Sequence, residues 1–198
     1  MRRWLVRIGI ALLALAVFLA ALWPRNGNRR GGRTMLKKTL PLLLSAGDRV
    51  LPLARHTPYA AQRLAVQRGL NKVFAEAIAD GLFDILDDRW VQLHIHDLGL
   101  QWCITKSPRT NQLQVARQAP VEVTIGGNWR EFLLLASRQE DPDTLFFRRR
   151  LQIDGDTELG LAVKNLIDSL DPESLPQWLW RTVESLGQAA AEQQLGYA

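Results

Sequence analysis

The chain has 198 residues, 47% of them hydrophobic, with one cysteine and a formal charge of +5. That length supports one domain with a real core plus appendages. Cys103 alone excludes an internal disulfide and cannot by itself hold an iron–sulfur cluster or a structural zinc ion.

In chain order, the basic charge comes first. Residues 1–38 carry nine Arg and Lys and no acid, which leaves 16 basic residues (25 less 9) against 20 acidic ones, a net −4, in the remainder. Residues 8–23 are uncharged and mostly apolar; counted from Trp4 with Arg7 tolerated, the run reaches 20, about the span of a bilayer. Arg25, Arg29, Arg30, Arg33, Lys37 and Lys38 outweigh Arg2, Arg3 and Arg7. A spanning helix at residues 4–23 would therefore leave the main domain in the cytoplasm, anchored to the inner membrane. Two other readings stay open: a cleaved signal peptide, and a native start at Met35 that makes residues 1–34 an extension. Residues 25–33, RNGNRRGGR, read as a flexible basic linker.

Leu36, Leu40, Leu43, Leu44 and Leu51 approximate a helical face limited by Pro41 and Pro52. After Pro58 the spacing of Leu64, Leu70, Val73, Phe74, Ala77 and Ile78 predicts a better helix, stopped at Asp80-Gly81. Val91, Leu93 and Ile95 alternate with polar residues, the mark of a half-buried strand. Strands at 100–105, 113–116 and 121–125 complete a predicted meander-like sheet, with turn chemistry at 107–111. Asn128 is the expected cap of a helix carrying Trp129, Phe132, Leu133 and Ala136, with Glu131 in the capping-box position. Asp141-Pro142 opens a short helix bearing Phe146 and Phe147, followed by the strand of Leu151 and Ile153. Asp156 then caps a helix whose Leu159, Val163, Leu166, Ile167 and Leu170 form one apolar stripe. Asp171-Pro172 starts a last helix with Leu175, Trp178, Leu179, Val183 and Leu186 on one side. Helices and strands segregate, so the fold class is α+β. The expected divisions are 1–34, the apolar segment and linker; 35–89, N-terminal helices; 90–172, the core; and 173–198, the C-terminal helix and tail.

Candidate chemistry is sparse. In His94-Ile95-His96-Asp97 two imidazoles lie on one side of a strand, as a metal site requires, but the third ligand is missing, since His56 is far away in a Pro-bounded stretch, and the histidines read as solvent-facing. Asp154-Gly155-Asp156 resembles a metal motif, yet a helix cap and a turn account for both residue types. No nucleophile elbow, phosphate loop or CxxC motif occurs. The domain after Lys38 lacks the basic face of a nucleic-acid binder. Its one basic run, Arg148-Arg149-Arg150, reads as the solvated approach to a strand, with anionic lipid headgroups as the alternative. No catalytic residue, metal or cofactor is expected.

Arg150-Leu151-Gln152-Ile153-Asp154-Gly155-Asp156 and the helix from Leu159 resemble the end of a sterol carrier protein domain, whose last strand runs into a helix through a Gly-Asp pair. Residues 81–102 and 138–170, above all 139–147, resemble the accessory factors of bacterial ubiquinone biosynthesis within that family. The resemblance covers roughly residues 35–186. It implies a sheet of about five strands covered by helices around an apolar tunnel, and a non-enzymatic protein that binds polyprenylated ubiquinone precursors in oxygen-independent synthesis. Implied partners are a polyprenyl-phenol or quinone lipid or a phospholipid, the membrane surface, and ubiquinone-biosynthesis enzymes including iron–sulfur peptidase-like hydroxylation proteins. Trp102, Phe132, Phe146, Phe147, Leu159, Val163, Leu166 and Trp178 are the expected lining or gate. The alternatives are a membrane-anchored scaffold with a packed core, and a metal-dependent enzyme using His94 and His96.

Overall fold

The structure, a computed structural model, describes residues 44–45, 47–49, 51–169 and 177–195. The predicted apolar segment, the basic linker and the Asp171-Pro172 helix start lie outside them. A 3₁₀ segment, Leu51–His56, leads into α1 (Tyr59–Val73) and α2 (Ala75–Ala79). Gly81, at φ +78°, supplies the left-handed stop that Asp80-Gly81 predicts, and a 3₁₀ turn follows at Asp84–Leu86. Strands β1 (Val91–Ile95), β2 (Leu100–Ser107), β3 (Gln112–Ala116), β4 (Val123–Gly127) and β5 (Leu151–Gly155) form one sheet. Helices α3 (Trp129–Ala136), α4 (Pro142–Phe147), α5 (Thr157–Ser169) and α6 (Gln177–Leu195) complete the α+β architecture.

The sheet is not a meander. Its order is β3-β2-β1-β4-β5, and β4 runs parallel to β1 with Val91 opposite Val123. One reason lies at the free edge of β3. There the Asn71 side chain accepts from Leu113 N at 2.9 Å and donates to Leu113 O at 2.8 Å. Helix α1 thus occupies the Leu113 pair of backbone groups at that edge, and β4 lies on the far side of β1.

Two of the three expected caps form. Asp141 accepts from Thr144 N at 2.8 Å, and Asp156 accepts from Leu159 N at 2.7 Å. Asn128 occupies the cap position of α3 without a side-chain cap bond; Asp97 accepts from Trp129 N at 3.0 Å instead. The expected capping-box partner Glu131 pairs with Arg150. Arg150 also holds Glu140 at 2.6 Å and Gln194 at 2.9 Å. It is therefore no solvated approach residue. Its guanidinium ties α3, the turn before α4 and α6 to the start of β5, while Arg148 and Arg149 stay exposed.

Pairing registers place Val91, Leu93 and Ile95 on one face with Leu100, Trp102, Ile104, Val115, Val123, Ile125, Leu151 and Ile153. The main core fills part of that face: Val91, Val123 and Ile125 pack with Ala77, Ile78, Phe83 and Leu86 and with Leu159, Val163 and Leu166 of α5. Gly160 lets α5 lie close to the sheet, since a Cβ there would stand 2.6 Å from Ile153 Cγ2. Helix α6 crosses α3 where Gly187 faces buried Ser137, and Leu134, Ala189, Ala190 and Leu44 close a second cluster.

Candidate functional site

The sheet face under the helices divides into two regions. Over β4 and β5 it is sealed by α5, with Leu159 1% exposed and Val123 fully buried. Over Leu93 and Ile95 of β1 and Trp102 of β2 the cover is less complete, although Val91 and Leu100 beside them are buried. Leu93 stands opposite Trp102 on β2 and Ile125 on β4, and Ile95 opposite Leu100. Leu93, Ile95 and Trp102 are each half-buried and join none of the three buried clusters of the described residues. Within this apolar strip the Trp102 indole Nε1 is buried and has no hydrogen-bond acceptor. A buried N–H without an acceptor is costly, and one beside half-covered hydrocarbon suits a mostly apolar molecule with an oxygen at one point.

The expected lining residues separate into three environments. Leu159, Val163 and Leu166 are buried in the main core against Val123 and Ile125. Phe132 touches that core and a smaller cluster of Leu135, Leu145 and Leu151, to which Phe146 also packs. Phe147 points away from all of them and is 88% exposed, so it lines no interior. The side chain of Trp178 lies outside the described residues. Leu93 and Ile95, which the sequence marked only as strand positions, belong with Trp102; strand alternation was the signal that could have grouped them. An open groove of about 650 Å³ runs along α1 beside Tyr59, Arg63, Leu64 and Arg68 and borders none of the eight expected residues.

The histidines lie on the other face of the sheet. Their ring centroids are 4.5 Å apart, edge to face, and a Cβ at Gly126 would stand 2.6 Å from His96 Nε2. Burial, and then the neighbouring His96, hold the His94 imidazole below the usual histidine range. No group of three His, Cys, Asp or Glu suited to a metal occurs among the described residues. Cys103 is buried, and its thiol is pushed up by burial, so it stays protonated and inert. Lys106, almost fully buried, reaches Asp84 at 2.5 Å and Asp87 at 2.9 Å and pins the 3₁₀ turn to β2. These charges serve the scaffold.

The stretch that holds the whole five-stranded sheet, residues 70–168, fits the SCP-2 sterol transfer family. The chain belongs to that family. Among SCP-2 relatives, it is 38% identical over 146 residues to "Ubiquinone biosynthesis accessory factor UbiT" of Escherichia coli (strain K12), covering 73% of this chain and 83% of the relative. The protein of the same name from Escherichia coli O157:H7 gives the same figures. A solved SCP-2 structure, "UbiJ-SCP2 Ubiquinone synthesis protein", is 16% identical with a TM-score of 0.46, covering 56% of this chain and 97% of that one. No described helix is long and apolar enough to cross a membrane.

Proposed function

We propose that this SCP-2 protein is a non-enzymatic accessory factor of ubiquinone biosynthesis that holds a polyprenylated precursor against the strip formed by Leu93, Ile95 and Trp102. The observation that carries this reading is the unpartnered Trp102 Nε1 within half-covered hydrocarbon. A polyprenyl tail covers the hydrocarbon, and the phenol or quinone oxygen accepts from the indole. Burying ~10 methylene-sized groups at ~0.8 kcal/mol each stabilises the complex by about 8 kcal/mol before ordering costs. That corresponds to roughly micromolar affinity at best. The protein presents its cargo to ring-modifying enzymes in oxygen-independent synthesis, including iron–sulfur peptidase-like hydroxylation proteins, and any iron belongs to them. It works in the cytoplasm at the membrane surface.

Lipid extraction and mass spectrometry of protein purified from cells test the reading. The wild-type chain is expected to carry a prenylated phenol or quinone, and Leu93→Trp, which fills the strip, to carry none while still folding. A scaffold with a packed core would carry no lipid in either form. Deletion is expected to reduce ubiquinone under anaerobic growth and spare it in air; equal loss in both removes the oxygen-independent assignment.

A further inference from the structure

Phe147 is the most exposed large hydrophobic side chain among the described residues, at 88%. It follows Phe146, which packs inward on Leu135, Leu145 and Leu151, so the outward turn is set by helical phase. Arg148 and Arg149 come next, and both are exposed. The turn is rigidly held. Arg149 sits at φ +55°, Arg150 N donates to Leu145 O at 2.9 Å, and Arg150 is anchored to Glu131, Glu140 and Gln194. Neighbouring acids are already committed, Asp143 to Lys164 at 2.6 Å and Glu140 to Arg150. The tip therefore keeps two cations beside one projecting aromatic ring, on a region that is acidic as a whole.

From this we infer that Phe147-Arg148-Arg149 is a docking tip for an anionic bilayer surface. The ring enters the acyl boundary, and the two guanidiniums pair with lipid phosphates. This rests on the lipid-carrier reading and adds where the protein meets the membrane: α4 carries Phe147 outward while Phe146 packs inward on Leu135, Leu145 and Leu151. Net repulsion of the acidic remainder from an anionic surface is offset locally.

The test uses the full chain with a polarity-sensitive fluorophore attached through Phe147→Cys; buried Cys103 does not compete for label. Adding vesicles of phosphatidylcholine with phosphatidylglycerol is expected to shift the emission to the blue, whereas phosphatidylcholine alone gives little. The same label at exposed Gln114 should stay in water. Adding Arg148→Gln and Arg149→Gln should weaken the response about 30-fold, at roughly fivefold per cation, with an unchanged unfolding midpoint. A silent reporter at position 147, including one that responds only to a protein partner, overturns the tip. A response indifferent to both phosphatidylglycerol and the arginines overturns the pairing with phosphate. Lipid content of the purified protein reads separately: cargo with a silent tip refutes docking alone, and absent cargo refutes the carrier whatever the tip does.

Discussion

Single atoms define the proposed binding strip, and Trp102 is the most exacting of them. Its indole N–H is buried without an acceptor, a state that costs about 1–3 kcal/mol. Trp102→Phe removes the donor and keeps most of the apolar surface. The free protein is expected to be no less stable, while affinity for a prenylated phenol falls about tenfold in a titration; unchanged affinity would show that the indole makes no bond to cargo. His94 offers a pH signature. Burial lowers its folded value, so the unfolded chain binds the proton more tightly, and stability is full above about 6.5 and declines as pH falls below it. Denaturant midpoints measured down through that range should drop less in His94→Gln. Gly155 is a backbone requirement: φ is +113°, and a Cβ would collide with the Glu122 carbonyl. The turn reading of the Asp-Gly-Asp run identified that residue type correctly, whereas the Glu122 carbonyl lies 33 positions away and no local pattern announces it.

Elements are joined by a few directed contacts. Lys106 links the 3₁₀ turn at Asp84–Leu86 to β2 through two carboxylates, and bonding to Asp84 first, then Asp87, keeps its ammonium charged above the usual lysine range. Removing both partners in Asp84→Asn with Asp87→Asn leaves a nearly buried charge unpaired, and chemical denaturation should show a loss of about 3 kcal/mol. Lys106→Met removes the charge itself and should cost less than 1 kcal/mol by the same measurement. If the two variants are equally destabilised, the lysine is held by packing and not by its carboxylates. At this scale, strand alternation and the Asp141 and Asp156 caps were legible because period and capping are local properties. Asn128 holds the cap position without a side-chain cap bond, and the long-range contact from Asp97, in the loop after β1, to Trp129 N has no local signature.

For the whole molecule, the proposed function predicts that cargo and stability are linked. A ligand at about 100 times its dissociation constant adds about 2.7 kcal/mol, which for a chain of this size raises the melting midpoint by roughly 5–10 °C. A thermal scan with a prenylated phenol should show that shift, and a protein with no space for cargo shows none. The sequence alone determined the α+β class, the succession of strands and helices, the family likeness and the confinement of the net positive charge to the first 38 residues. The likeness rests on particular residue runs that resemble the family, and the rest follows from periodicity, composition and local turn chemistry. Only the tertiary structure decided that β4 joins β1 in parallel, that Arg150 turns inward while Phe147 turns out, and that Leu93, Ile95 and Trp102 are left half-covered. Each of those depends on contacts between residues far apart in the chain, where a side chain's surroundings are set by which element arrives beside it and not by its neighbours in sequence.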